Sequence, residues 1–269
     1  AVAVSPDGKR LYVMGACSNG TKFGSLVINN AGSKEMCVAM ASMNKARLTF
    51  ERTYSAKGDV RGQVMVLKPG RGLLIAGTYF GTAGVGQAKD NPFSPEVIFR
   101  EPDVDNKDRE GELKTGDGIF VALLGEGTLN YLWQEGNAKK AVTAFVIGDE
   151  MVTGIHVNDN GVIFLAVQSF GLARFGTFKF QELDAEPNSW NSFVVRLGPD
   201  GTFVNTPRYL LISNKDVFLT TTTFDAQGSL YMGGFFLGDT QVNPPSKKGS
   251  FQFRGEKASF VWKFPKDNL

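Results

Sequence analysis

The chain has 269 residues, 42% of them hydrophobic, with 29 Lys and Arg against 27 Asp and Glu. That length admits one large all-β domain or two ordinary ones with a substantial core, and a net charge of +2 excludes a global field that would draw the chain to nucleic acid or to an anionic membrane. Two cysteines exclude a disulfide-dense scaffold and a four-cysteine zinc site, and a single histidine, His156, leaves little room for histidine-based metal or acid-base chemistry.

No run approaches the roughly 18 continuous apolar residues of a membrane helix, and no signal-peptide pattern is present. A start at Ala1 rather than Met fits a mature or excised segment.

In chain order, VAVSPDGKRLYVMGAC reads as two β-rich runs about a turn at Gly8, and CVAMASMNKARLTFERTY from Cys37 as a hairpin with alternating apolar positions. VMVLKPGRGLLIAGTYF repeats the first pattern around Gly72, and IFVALLGEGTLNYLWQEG from Ile119 repeats the second. KKAVTAFVI (139–147) is ambiguous in period and is read as a strand because it leads into the next unit. GIHVNDNGVIFLAVQSF around Gly161 and SFVVRLGPDGTFVNTPRYLL from Ser192 make a third set. TTTFDAQGSLYMGGFF around Gly228 and SFVWKFPKDNL from Ser259 make a fourth, with three strands instead of four.

The unit is therefore strand, tight turn, strand, long loop, strand, turn, strand, over approximately 1–61, 62–141, 142–216 and 217–269. Four-stranded units that cannot bury both faces alone imply an all-β fold, a β-propeller of four units of about four antiparallel strands with the last incomplete. The shared glycines are read as turn and close-packing positions.

Asp225, Gly228, Tyr231, Gly234 and Phe236, followed by Phe260 and Val261, give the pattern Asp-x-x-Gly-x-x-Tyr-x-x-Gly-x-Phe with a later Phe-Val. Gly72, Phe80, Phe120, Val121 and Leu124 match it in part, but there the Asp is lost and the later glycine stands one place early at Gly77. Asn158 and Gly161 match it with Val167 in place of the later Gly. These motifs resemble the β-propeller repeats of secreted bacterial proteins, and AVSPDGKRLYV is similar to a related repeat carrying Ser-Pro-Asp-Gly before a Tyr-Val strand. The resemblance implies the fold and little about function, because such repeats are scaffolds with no shared catalytic residues.

Chemistry is expected in the loops between second and third strands, at roughly 18–35, 80–118, 170–191 and 237–258. In the longest, Asp103, Asp105, Asp108 and Glu110 supply hard oxygens that suit Ca²⁺, although the spacing departs from the EF-hand pattern and Lys107 and Arg109 would pair with the acids in a plain solvated loop. GTAGVG (81–86) lacks the Gly spacing and the Lys-Ser/Thr ending of a phosphate loop. Cys17 ends one strand and Cys37 opens the next, so antiparallel pairing brings them to the same end of the hairpin, where the last unit has Phe236 and Phe260. The pair is either a disulfide closing a loop of roughly 20 residues, worth about 3 kcal/mol and implying an oxidising compartment, or two buried thiols. Asn19-Gly20-Thr21 is a glycosylation-type triplet in the same loop.

His156 is read as a strand residue rather than a ligand or base, and Trp133, Trp190 and Trp262 as core or inter-blade packing. Lys139-Lys140 and Lys247-Lys248 are read as solvated turns. No coherent catalytic set emerges, so the expected function is a non-catalytic propeller scaffold of an extracellular, cell-surface or periplasmic protein, without cofactor, binding protein or carbohydrate at its loop face. The alternative is a structural subunit of a filament, sheet or shell that binds copies of itself through blade edges and long loops.

Overall fold

A computed structural model describes residues 1–28, 35–44, 47–55, 57–68, 70–85, 97–99, 118–127, 129, 142–147, 150–170, 172–175, 178–179, 190–201, 208–213, 216–225, 229–242, 251–253 and 256–265. All regular structure among them is strand. The first strands are β1 (Val2–Val4), β2 (Arg10–Cys17), β3 (Lys22–Phe23), β4 (Leu26–Val27), β5 (Glu35–Asn44) and β6 (Arg47–Ser55). Next come β7 (Lys57–Lys68), β8 (Gly72–Val85), β9 (Val97–Phe99), β10 (Gly118–Leu124) and β11 (Val142–Ile147). Then follow β12 (Glu150–Val157), β13 (Ile163–Phe170), β14 (Leu172–Phe175), β15 (Phe178–Lys179), β16 (Trp190–Leu197) and β17 (Arg208–Ser213). The last are β18 (Asp216–Phe224), β19 (Leu230–Leu237), β20 (Thr240–Val242), β21 (Phe251–Phe253) and β22 (Lys257–Phe264).

They form five antiparallel sheets: β1-β2-β5-β6; β15-β14-β11-β10-β8-β7 with β9 on β8; β12-β13-β16-β17-β20-β21; β18-β19-β22; and β3-β4. None of these sheets closes on itself or curls into a ring, and no propeller signature is present among the described residues. The four-unit propeller expected from the sequence is thus not the fold, and the resemblance to secreted propeller repeats is overturned with it. Two expected functions lose their architectural premise as well: the propeller scaffold, and the filament, sheet or shell subunit joined through blade edges.

The physical reason lies in range. A turn with an Asx and a glycine specifies a hairpin through contacts a few residues apart, whereas ring closure is decided by packing between segments remote in sequence. The 237–258 segment, expected to be a loop, supplies β20, which pairs onto β17, and β21, which pairs onto β20, and so enlarges the third sheet. Sheets of such unequal size are not copies of one blade.

The hairpin turns are built by side chains that accept from the backbone. In the first turn Asp7 Oδ1 accepts from the Lys9 N–H (3.0 Å) and from the Ser5 hydroxyl (2.6 Å), while Gly8 takes φ of 68°. Asn158 Oδ1 accepts from Val162 N–H (3.0 Å), and Asp225 Oδ1 from Ser229 N–H (2.8 Å). Each is an Asx side chain standing in for a backbone acceptor. The second turn has no Asp, and there Glu126, 56 positions away, accepts from the Gly70 N–H at 3.0 Å while pairing with Arg10 at 3.7 Å. Glu126→Gln is expected to weaken this clasp by roughly 1 kcal/mol, discounted for its exposure, which urea denaturation of the variant measures.

The chain divides into two compact units, Ala1–Thr143 and Ala144–Leu269. The first has a core of Tyr12, Met14, Met36, Val38, Met40, Tyr54, Leu73, Ile75, Phe120 and Leu124. Alternate residues of β2 and β5 point into it, as the period of a strand requires. In the second unit Phe164, Ala166 and Val194 of the third sheet pack with Val217, Leu219, Leu230, Met232, Phe236 and Phe264 of the last. Buried Gln168 and Ser192 donate side-chain hydrogen bonds to the Val217 carbonyl, at 3.3 and 3.5 Å, and so hold β18 on the third sheet.

Candidate functional site

Packing one face of the last sheet against the third leaves its other face to be explained. The register reads across three strands as rows: Asp216, Leu237 and Lys257; Phe218, Phe235 and Ser259; Thr221, Gly233 and Val261; Thr223, Tyr231 and Lys263. A bulge between Leu219 and Thr221 keeps the later threonines in these rows. Along β22 the outer residues Lys257, Ser259, Val261 and Lys263 are all exposed, and β22 has β19 as its only strand partner among the described residues.

Val261 is 80% exposed, the most open of the large hydrophobic side chains described. Its row explains this, because the residue beside it is Gly233, which offers no side chain to cover a valine. The result is a notch one side chain wide between Tyr231 and Phe235. A Cβ on Gly233 would meet only the Thr221 methyl at 3.2 Å and the Phe260 carbonyl oxygen at 3.9 Å.

Aromatic rings and lysines line the notch. Phe218 and Phe235 stack at 4.8 Å, Trp190 lies 6.2 Å from Phe218, and the Trp190 backbone N–H donates to Asp216 at 3.0 Å. The Lys257 ammonium sits 5.3 Å over the Phe235 ring and the Lys263 ammonium 5.0 Å over Tyr231. At the end of the row Asp225 Oδ2 accepts from Lys263 and from the Tyr231 hydroxyl, both at 3.2 Å. Desolvation pushes the Asp225 carboxyl up, but the Ser229 N–H, Lys263 and Tyr231 outweigh it and leave the group below the ordinary 3.8. Lys263 is raised above its ordinary value, first by Tyr231 and then by Asp225. The face thus sets two lysines about an apolar centre, with Lys263 paired to Asp225 and Asp216 in the row of Lys257.

Of the residues singled out from sequence, Tyr231 and Val261 lie on this face with Asp225 and Trp190 beside it, whereas the cysteines, Asn19 and His156 fall elsewhere. Cys17 and Cys37 form a disulfide with their Cα atoms 5.8 Å apart. They are not directly opposite: Cys37 faces Gly15 and Cys17 faces Glu35, so the bond is diagonal. Phe236 and Phe260 are related in the same diagonal way and stack at 6.4 Å, an aromatic contact where the first sheet has a covalent one. Ile28 is buried against the disulfide, and Phe23 of the β3-β4 hairpin lies 5.3 Å from Phe50. Asn19 is exposed in the turn that enters this hairpin.

Asp103, Asp105, Asp108, Glu110 and Trp133 lie outside the described residues, as do Lys139-Lys140 and Lys247-Lys248. Gly81–Val85 completes β8, so the stretch likened to a phosphate loop is strand as far as it is described. Among the described residues no three His, Cys, Asp or Glu side chains group to hold a metal ion.

His156 lies on β12, stacked at 3.8 Å on Phe224 of β18, which also meets Phe164 at 5.1 Å. Burial lowers its pKa below 6.5, with Asp159 opposing. A depressed folded-state pKa favours the neutral ring, so the stabilisation is complete above the unfolded value and is lost as pH falls through the folded one. Melting temperature is expected to decline from pH 7.5 to 5, and His156→Phe to flatten that decline in calorimetry.

Sequence reasoning looked for the site in the loops, the longest of which lies largely outside the described residues; for the sheet face the sequence offers only the alternation in KASFVWKF. No protein-family model matches the chain, and no curated protein sequence matches it.

Proposed function

We propose that the chain is a non-catalytic recognition domain of an oxidising compartment that engages a protein partner through the outer face of β18, β19 and β22. The observation that carries this reading is Val261, 80% exposed between Lys257 and Lys263 and beside the Gly233 notch. An apolar centre with a charged rim is the anatomy of a protein-binding patch. A sugar platform would need open ring faces, whereas Phe235 has Phe218 on one side and Lys257 near its centroid, and Tyr231 has Lys263. The Cys17–Cys37 disulfide supports an extracellular, surface or periplasmic setting.

The test places a photo-crosslinking phenylalanine at position 261 and, as a control, at the exposed Met151. Expression in the native host should give a discrete protein adduct from 261 and none from 151. Equal labelling from both positions, or none from 261, would end the reading.

A further inference from the structure

Resting on the oxidising setting in that reading, we infer that Asn19 accepts an N-linked glycan, and that the sugar is transferred before the turn carrying Asn19 closes. Asn19-Gly20-Thr21 is the chain's one Asn-x-Ser/Thr triplet with a residue other than proline in the middle. Such triplets arise readily by chance, so the place in the fold decides whether this one can hold a sugar. Ser18, Asn19 and Gly20 are all exposed, in the turn that follows β2 and begins one residue past the buried Cys17. A hydrophilic chain attached at Asn19 projects into water and leaves the core intact. The Cys17–Cys37 disulfide ties this same segment to a compartment in which such transfer takes place.

The co-reactant is an oligosaccharide carried on a lipid pyrophosphate. Asn19 Nδ2 forms a bond to the anomeric carbon of the first sugar as the bond from that carbon to the phosphate oxygen breaks. The lipid pyrophosphate leaves with the electron pair, and the amide gives up one proton to a base of the transferase. Nothing is oxidised or reduced.

The folded turn fixes the order of events. A transferase that selects Asn-x-Ser/Thr must engage the hydroxyl of Thr21 along with the Asn19 amide, yet in the folded chain Thr21 Oγ1 accepts from the Ser18 N–H at 3.1 Å. The main chain is held as well: the Thr21 N–H donates to Ser18 O at 3.1 Å, the Gly20 N–H to Ile28 O at 2.8 Å and the Ile28 N–H to Thr21 O at 2.9 Å, with Gly20 at a φ of 84°. Ile28 is in turn buried against the disulfide. Sugar transfer and closure of this hairpin therefore compete for one segment, and the glycan is added first.

The experiment secretes the whole chain from a eukaryotic cell line behind a cleavable leader. Glycosidase release in heavy-oxygen water then marks a formerly glycosylated asparagine as labelled aspartate, read by mass spectrometry together with the state of the cysteines. Label is expected at Asn19; Thr21→Ala should abolish it, and Thr21→Ser should keep it at lower occupancy. In a second arm the unglycosylated, oxidised chain is incubated with purified transferase and a lipid-linked donor and should stay unlabelled, whereas the same chain reduced and unfolded in urea before dilution should take the label. A secreted chain with bonded cysteines and an unmodified Asn19 overturns the inference and leaves the oxidising setting standing, whereas a secreted chain with free cysteines removes both. Equal labelling of the folded and unfolded chains overturns the order of transfer and closure.

Discussion

Gly72→Ala is expected to destabilise the first unit by about 3 kcal/mol or more, enough to unfold a marginal domain. Two separate penalties meet at this residue. Its φ of 147° lies in a region that side chains other than glycine rarely occupy, and an added Cβ would run into the Leu124 carbonyl oxygen and lie 3.1 Å from a Leu123 methyl. A backbone oxygen cannot swing aside as a flexible side chain would. Leu123 and Leu124 pair with Leu74 and Leu73 at the start of β8, so relief of the clash would open the sheet where the core begins. Urea denaturation followed by tryptophan-independent circular dichroism measures the loss. Gly8→Ala, where a Cβ would meet nothing within 4 Å and only the φ of 68° opposes it, should cost markedly less, about 1 kcal/mol. Equal losses at the two positions would show that packing at Leu124 is not the cause.

Removing the disulfide with Cys17→Ala and Cys37→Ala together is expected to cost about 3 kcal/mol. The bond spans 20 positions, and its loss restores conformational freedom to the unfolded chain while leaving two buried methyl groups where a packed sulfur pair stood. The hairpin it anchors should loosen as well. Ile28 and Phe23 pack on or near the bond, so backbone amides in 20–28, including the Ile28 N–H that donates to Thr21 O at 2.9 Å, are expected to exchange faster than those of β5. Hydrogen exchange with mass readout checks this, and a uniform acceleration across both segments would contradict a local anchoring role. The oxidised wild type should resist urea to a higher concentration than the same protein treated with a reductant under denaturing conditions.

How far the sequence was legible follows from the range of each interaction. Asp7, Asn158 and Asp225 announced their turns because an Asx side chain bonds to the backbone only two to four residues away. Cys17 and Cys37 were brought together by one hairpin, so their proximity was readable as well. The turn at Gly70 was legible as a turn but not in its chemistry, because the carboxylate it needs arrives from Glu126. The candidate site was illegible for a related reason. Alternation in β22 shows that one side is polar and the other apolar, but not that Gly233, a residue of another strand, stands beside Val261.

Composition and local pattern by themselves determined an all-β chain, its hairpin turns and a disulfide-ready cysteine pair, since each depends on residues close in sequence. Only the tertiary structure decided that β20 and β21 join the third sheet, that the sheets stay open, and that one face of the last sheet is packed while the other keeps Val261 and two lysines in water. Those outcomes turn on which remote surfaces bury one another, and apolar burial is non-directional: a valine in an alternating strand carries no mark of the neighbour that will cover it or fail to.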